Sequence, residues 1–254
     1  MHQQDLFGNN ITNTQLNVSV FFLGGRDNKQ EELPKLNEIY ELSIDAYYTA
    51  LYAAMSELPI KKEIRSYLEK VGNCPDRKTA AVKAADRGDP DTLTVLKAAY
   101  KVQHEIHRLN GLLRFRAEPN CAYTARCSPD HFVLPALAGH FTLRFGETSW
   151  AIIDEKRSLC LYRLKGGKAQ LVTADKTPQD FLCPAASSEG KPVPAREKQA
   201  ETEGEDTLKE PNGESWEDLW RLYHRSVNNE ARKNPKLQLQ FMPERYHKYL
   251  TEMN

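Results

Sequence analysis

The chain has no GxxxxGK[ST] loop and no GxGxxG turn, so sites for nucleoside triphosphates and dinucleotides are not expected. It also has no CxxC pair. Its five cysteines, Cys74, Cys121, Cys127, Cys160 and Cys183, form an odd, scattered set that argues for reduced thiols rather than a zinc or iron–sulfur centre. No HExxH frame occurs: His104 and His107 stand three apart, half of a metal-ligand pattern, and no carboxylate completes it. No metal and no cofactor are therefore expected. No spacing of Cys121 or Cys127 to a histidine reads as a nucleophilic triad. No apolar run approaches the length of a membrane span. The opening MHQQDLFGNN lacks the basic and apolar regions of a secretory signal, so a cytoplasmic location is expected.

What is present is enough for a core: 254 residues, 40% of them apolar. Lys and Arg number 35 and Asp and Glu 35, and this exact balance hides an uneven distribution. Residues 100–168 carry 11 basic and 6 acidic side chains, and residues 219–250 carry 7 and 2. Between them, residues 174–218 carry 5 and 12. Two basic blocks around an acidic stretch suit a protein that meets a polyanion, with the acidic stretch a competitor for the same surface. Solvated faces of ordinary helices would give the same counts.

Taken in order, VSVFFLGG over 18–25 reads as a strand closed by two glycines. Apolar residues at helical spacing predict a helix over 33–55, whose tyrosine-rich face, Tyr47 and Tyr48 included, could pack or stack bases. Further helices are expected over 60–71, 77–86 with Asp76 as N-cap, and 92–109, followed by a turn at Asn110-Gly111. The period then changes. LLRFRAE over 112–118 alternates as a strand would, placing Arg114 and Arg116 on one face, and after a turn at 119–120 a second strand over 121–127 pairs back. An apolar helix over 132–145 follows, capped by Ser128 or Asp130. Strands over 149–154, 159–164 and 169–173 come next, the last two joined through Lys165-Gly166-Gly167. The order ββαβββ predicts an α+β fold: a helical N-terminal half, then an antiparallel sheet of about five strands with a helix on one face. Residues 1–173 form the domain, 174–213 an acidic flexible linker, and 214–254 a C-terminal helical segment packing back on that domain. In this segment a helix from 216 to about 232 ends at Asn234-Pro235, and Pro243 opens a last short helix.

Polar residues beside apolar runs mark candidate chemistry: Arg108, Arg114, Asp130, His131, His140, Asp154 and Arg157 flank the strand ends and the apolar helix. Such groups can hold phosphates or position a base edge or water, and an internal network tying helix to sheet would use the same residue types.

The runs HRLNGLLRFRAE, PDHFVLPALAGHFTLRF, WAIIDEKR and LWRLYHRSVNNEARKNPKLQLQFMPERYHKYLTE, within 58–252, resemble a bacterial family of DNA repair or DNA metabolism proteins, a domain of unknown function. Its members are typically encoded beside a radical SAM protein with a helix-hairpin-helix module, and the domain is similar to a part fused to uracil-DNA glycosylase-like proteins. Members usually open with a short strand and helix not found here, and carry Trp where this chain has His247. The resemblance brings no established catalytic residue. It implies a DNA-binding accessory protein in DNA repair, with DNA and the radical SAM protein as partners. Arg108, Arg114, Arg116, Arg157, Arg232, Lys233, Arg245 and Lys248 would meet phosphates, and Tyr246 would stack. The alternatives are an enzyme on damaged bases, using Asp130, His131, His140 and Asp154, and a scaffold docking the radical SAM protein through 216–249.

Overall fold

The computed structural model describes residues 36–117, 122–176, 216–229 and 232–253. The strand expected at 18–25, the turn at 119–120 and most of the acidic stretch lie outside the described residues.

The apolar repeat expected as one helix over 33–55 forms two, α1 (Leu36–Leu42) and α2 (Ile44–Ala54). Between them Ser43 is extended, with φ −152°, and its hydroxyl accepts the Ala46 N–H at 3.2 Å. A side-chain oxygen there satisfies a first-turn donor of the second helix, so the chain restarts instead of running through. Two more helices, α3 (Lys61–Gly72) and α4 (Arg77–Ala84), follow, the latter capped by Asp76, whose Oδ1 accepts from Thr79 N at 2.9 Å. Asp89 caps α5 (Pro90–Leu112) in the same way, and Pro90 sits where a missing N–H costs nothing. At 23 residues α5 is about 34 Å long and is the spine of the molecule. Alanines 46, 50 and 53 of α2 and 98 and 99 of α5 are all buried where the two helices pack, letting the backbones approach.

α5 continues through Asn110-Gly111, where a turn was expected. Leu109 and Leu113 on either side are buried, and their packing outweighs the roughly 1 kcal/mol by which glycine disfavours a helix. The first strand consequently shrinks to β1 (Arg116–Ala117). It pairs with β2 (Tyr123–Cys127), and after α6 (Leu134–Phe145) come β3 (Trp150–Asp154), β4 (Leu159–Arg163) and β5 (Gln170–Thr173). These five strands lie in the order β1-β2-β3-β4-β5, so the α+β architecture is as expected, with one pairing different. β2 and β3 run parallel, Tyr123 opposite Trp150 and Cys127 opposite Asp154. The twelve-residue helix carries the chain back to the end from which β2 began, the long crossover that a parallel pair needs, whereas a hairpin joins antiparallel neighbours. Such a hairpin does join β4 to β5, with Gly166 at φ +68°.

Leu134, Leu137 and Phe141 of α6 cover the sheet face made by Ala125, Cys127, Trp150, Ile152 and Leu161. Each fully buried large side chain there stabilises by roughly 1.5–3 kcal/mol. Neither Ser128 nor Asp130 caps α6: Val133 occupies the N-cap without a side-chain bond, because the preceding backbone is held from another element. The C-terminal part forms α7 (Trp216–Val227), α8 (Pro235–Phe241) and α9 (Glu244–His247). α7 stops at Val227, short of the end expected near 232, so Asn234 ends no helix; its side chain accepts the Leu237 N–H at 3.0 Å and starts α8. Tyr246 and Leu250 are buried, Tyr246 within the main core. Among the described residues no helix is long and apolar enough to cross a membrane.

Candidate functional site

The inward face of α5 reads Ala98, Val102, Glu105, Ile106, Leu109, so helical spacing carries one carboxylate into the core. Glu105 is 2% exposed. A buried charge persists only when its lone pairs are filled, and these are. Oε1 accepts from Asp130 N at 2.8 Å and from the Tyr246 hydroxyl at 2.8 Å, and Oε2 accepts from His131 N at 2.8 Å. Arg245 Nη2 lies 3.3 Å from Oε1, while Arg245 Nη1 reaches Asp130 Oδ2 at 2.5 Å. One glutamate thus fixes the 130–131 backbone and clasps the C-terminal segment to α5. Burial and the Glu105 charge push the Tyr246 phenol up, so it stays a neutral donor. Its hydroxyl is committed to Glu105, and the Arg245 guanidinium lies over its ring, 4.8 Å from the centroid.

Above this clasp opens a cleft of about 580 Å³. Its floor and one wall are successive positions of α5, Tyr100, Lys101, His104, Glu105 and Arg108; the 130–131 loop, Glu57 and Arg245 complete it. Each of its carboxylates meets a guanidinium: Glu105 and Asp130 share Arg245, and Glu57 Oε1 is 2.6 Å from Arg157 Nη2. Lys101 and Arg108 have no carboxylate partner among the described residues, although Arg108 Nη2 donates to Gln240 O at 3.2 Å. The lining carries three carboxylates and three cations in all, and the two cations without a carboxylate partner among the described residues, Lys101 and Arg108, stand together on α5. Tyr100 is 60% exposed at its edge, with the His104 ring 5.6 Å away. Burial holds the His131 imidazole below its ordinary pKa against the pull of Glu105, Asp130 and Glu57. Its Nδ1 accepts the Glu57 N–H at 3.4 Å, which leaves Nε2 to carry the proton of the neutral ring.

Behind the loop, Arg157 and Asp154 form a second tie. Asp154 is fully buried; its Oδ1 accepts from Lys156 N and Arg157 N, and its Oδ2 lies 2.9 Å from Arg157 Nη1. The Arg157 guanidinium also donates to Pro129 O at 3.1 Å and Asp130 O at 2.8 Å. Every Asp154 oxygen and every arm of Arg157 is therefore engaged inside the protein, and both residues position the loop rather than face the cleft.

Of the residues proposed from sequence, the fold brings Arg108, Asp130, His131, Arg245 and Tyr246 together around the cleft, with Asp154 and Arg157 directly behind. The others stand elsewhere. Arg114 lies before β1 rather than on it, donates to Gly111 O at 2.9 Å and covers the Trp220 ring, so it shares no strand face with Arg116. Arg116 is exposed on β1, and Arg232 and Lys233 are exposed between α7 and α8. Lys248 is tied to Glu155 Oε2 at 3.1 Å. His140 sits on α6 outside the cleft lining, with Nε2 buried and unpartnered and its pKa lowered by burial and by Arg144. Tyr47 and Tyr48 are half-buried in an edge-to-face pair against the core, which commits that face to packing. Glu57, Lys101 and Glu105 were missed. The one signal for them was spacing: Lys101, His104 and Arg108 share a helix face, and Glu105 interrupts the apolar one. Among the described residues no group of three or more His, Cys, Asp or Glu side chains is placed to hold a metal ion.

Fold and site together define an α+β domain whose C-terminal segment is clasped onto a central helix by a buried glutamate, beside an open cleft in which Lys101 and Arg108 have no carboxylate partner among the described residues. The chain belongs to the family of the domain of unknown function DUF4130, whose model matches residues 65–252. That span holds α5, the 130–131 loop and Arg245, and leaves out Glu57. No curated protein and no solved structure matches the chain.

Proposed function

We propose that this protein is a DNA-binding accessory factor in DNA repair or DNA metabolism, and that the cleft along α5 is where a DNA strand lies. The observation that carries the reading is that Lys101 and Arg108 stand on one helix face, in an open cleft, without carboxylate partners among the described residues. Cations left uncompensated in a concavity attract a polyanion, and the exposed Tyr100 ring beside them gives a base a surface to stack on. The resemblance in the sequence favours DNA as that polyanion and a radical SAM protein as the factor it acts with. An accessory role is preferred to catalysis because Asp154 is saturated by internal bonds and His140 stands apart from Asp130 and His131.

Anisotropy of a labelled oligonucleotide across salt concentration tests this. Affinity should fall steeply with salt, and Lys101→Ala and Arg108→Ala should each lower the log–log slope by about 1. An affinity that is flat with salt, or slopes unchanged in both variants, would sink the proposal. Turnover of uracil-containing or abasic oligonucleotides by the pure protein would instead favour the enzymatic reading.

A further inference from the structure

Lys97, Lys101, His104 and Arg108 of α5 stand at i, i+4, i+7 and i+11, so a helix of about 3.6 residues per turn brings them within about 60° of one another. The stripe they form is about 16 Å long. Lys97 is exposed and, like Lys101 and Arg108, has no carboxylate partner among the described residues. It lies outside the cleft lining, so the cations run on past the cleft toward the start of α5. Like charges at i, i+4 disfavour a helix, so the pairing of Lys97 with Lys101 contributes nothing to the stability of α5. Tyr100, 60% exposed, stands about 40° round the helix from His104 and edges the stripe. Away from α5 the lining adds two carboxylates, Glu57 and Asp130, 54% and 51% exposed.

We infer that this stripe takes an unpaired DNA strand in preference to duplex. The inference rests on the DNA-binding reading of the cleft and names which form of DNA the site takes. Three features select the single strand. A single strand can set its phosphates along one line of cations, whereas a duplex carries a second row of phosphates that would come toward Glu57 and Asp130. In a duplex each base face is covered by its neighbour, so only an unpaired base can lie on the Tyr100 ring. A helix reads duplex by entering a major groove about 12 Å wide, and for that it must stand proud of the protein. The inward side of α5 is buried in the core, and the 130–131 loop, Glu57 and Arg245 wall its other side, so α5 lines a groove instead.

The test uses the full chain and one fluorescein-labelled strand of about 12 nucleotides without self-complementarity, free and annealed to its complement. Fluorescence anisotropy at one salt concentration should show the free strand bound at least about tenfold more tightly than the duplex. Tyr100→Ala should weaken the free strand by about tenfold and leave the duplex unchanged, while Tyr100→Phe keeps the ring and the affinity. Lys97→Ala should lower the log–log salt slope on the free strand by about 0.7, although Lys97 is no part of the cleft lining. Tyr100 and Lys97 are exposed, so the melting temperature of each variant should match that of the wild type. Duplex bound as tightly as the free strand or more so, with slopes that still fall in Lys101→Ala and Arg108→Ala, overturns this inference and leaves the DNA-binding reading standing. So does a Tyr100→Ala variant that weakens neither form or both alike, or a Lys97→Ala variant with an unchanged slope. Absence of salt-dependent binding to either form removes the DNA-binding reading, and this inference with it.

Discussion

Replacing Glu105 by Gln is the sharpest probe of how the cleft is held. The amide is nearly isosteric, so no cavity forms and the effect is electrostatic. Glu105 accepts three hydrogen bonds at 2.8 Å and sits 3.3 Å from Arg245. Glutamine keeps one oxygen, best placed at the Oε1 position that serves three donors, and turns its NH2 toward His131 N. One bond to a charged acceptor, about 1.5–3 kcal/mol, is lost, and two buried donors are left facing each other at roughly 1–3 kcal/mol more. The expected loss is about 3–5 kcal/mol, since Arg245 keeps Asp130 as counter-ion and the cost falls on the buried hydrogen bonds. In thermal unfolding of a domain this size each kcal/mol moves the midpoint about 2–4 °C, so a drop of roughly 6–20 °C is expected. Tyr246→Phe removes one donor and should cost about 1–2 kcal/mol. Because both residues share one hydrogen bond, the double variant should lose less than the two single losses combined. Urea unfolding of the four proteins measures this. A Glu105→Gln loss under about 1 kcal/mol, or strict additivity with Tyr246→Phe, would refute the argument that this carboxylate clasps the C-terminal segment to α5.

Two further outcomes follow from the same contacts. Arg157→Met leaves the fully buried Asp154 without its counter-ion and frees Pro129 O and Asp130 O, so unfolding in urea should show a loss of about 3–5 kcal/mol; a near-neutral result would mean that the tie contributes nothing. His140 has its pKa lowered in the fold by burial and by Arg144, so near its ordinary value of 6.5 the unfolded chain binds more protons than the folded one. Stability contributed by the neutral ring is present above that pH and is lost as pH falls below it. Unfolding free energies across this range should flatten in His140→Gln, and an unchanged slope would show that the ring titrates alike in both states.

How much was legible in the sequence follows the range of the forces involved. The helix at 61–72, the cap at Asp76, the β4–β5 hairpin and the helix before β3 rest on period and on neighbours within four residues, which any linear reading can see. The failures lie where distant contacts override local preference. Asn110-Gly111 is a turn by propensity and a helix by the burial of Leu109 and Leu113. Asp130 is a good cap by type, yet its backbone is taken by a glutamate 25 residues away.

The sequence by itself determined the α+β class, the helical first half, the five strands and the concentration of basic residues in two blocks, because hydrophobic period and charge are properties of neighbouring residues. Only the tertiary structure decided which charges are free. Arg157 and Lys248 read in the sequence as equals of Arg108, and Lys101 does not stand out there, but the fold brings Asp154, Glu57 and Glu155 to Arg157 and Lys248 and, among the described residues, no carboxylate to Lys101 or Arg108. A charge acts on a distant ligand only after its nearest counter-ions are accounted for, and those are set by folding across tens to hundreds of residues.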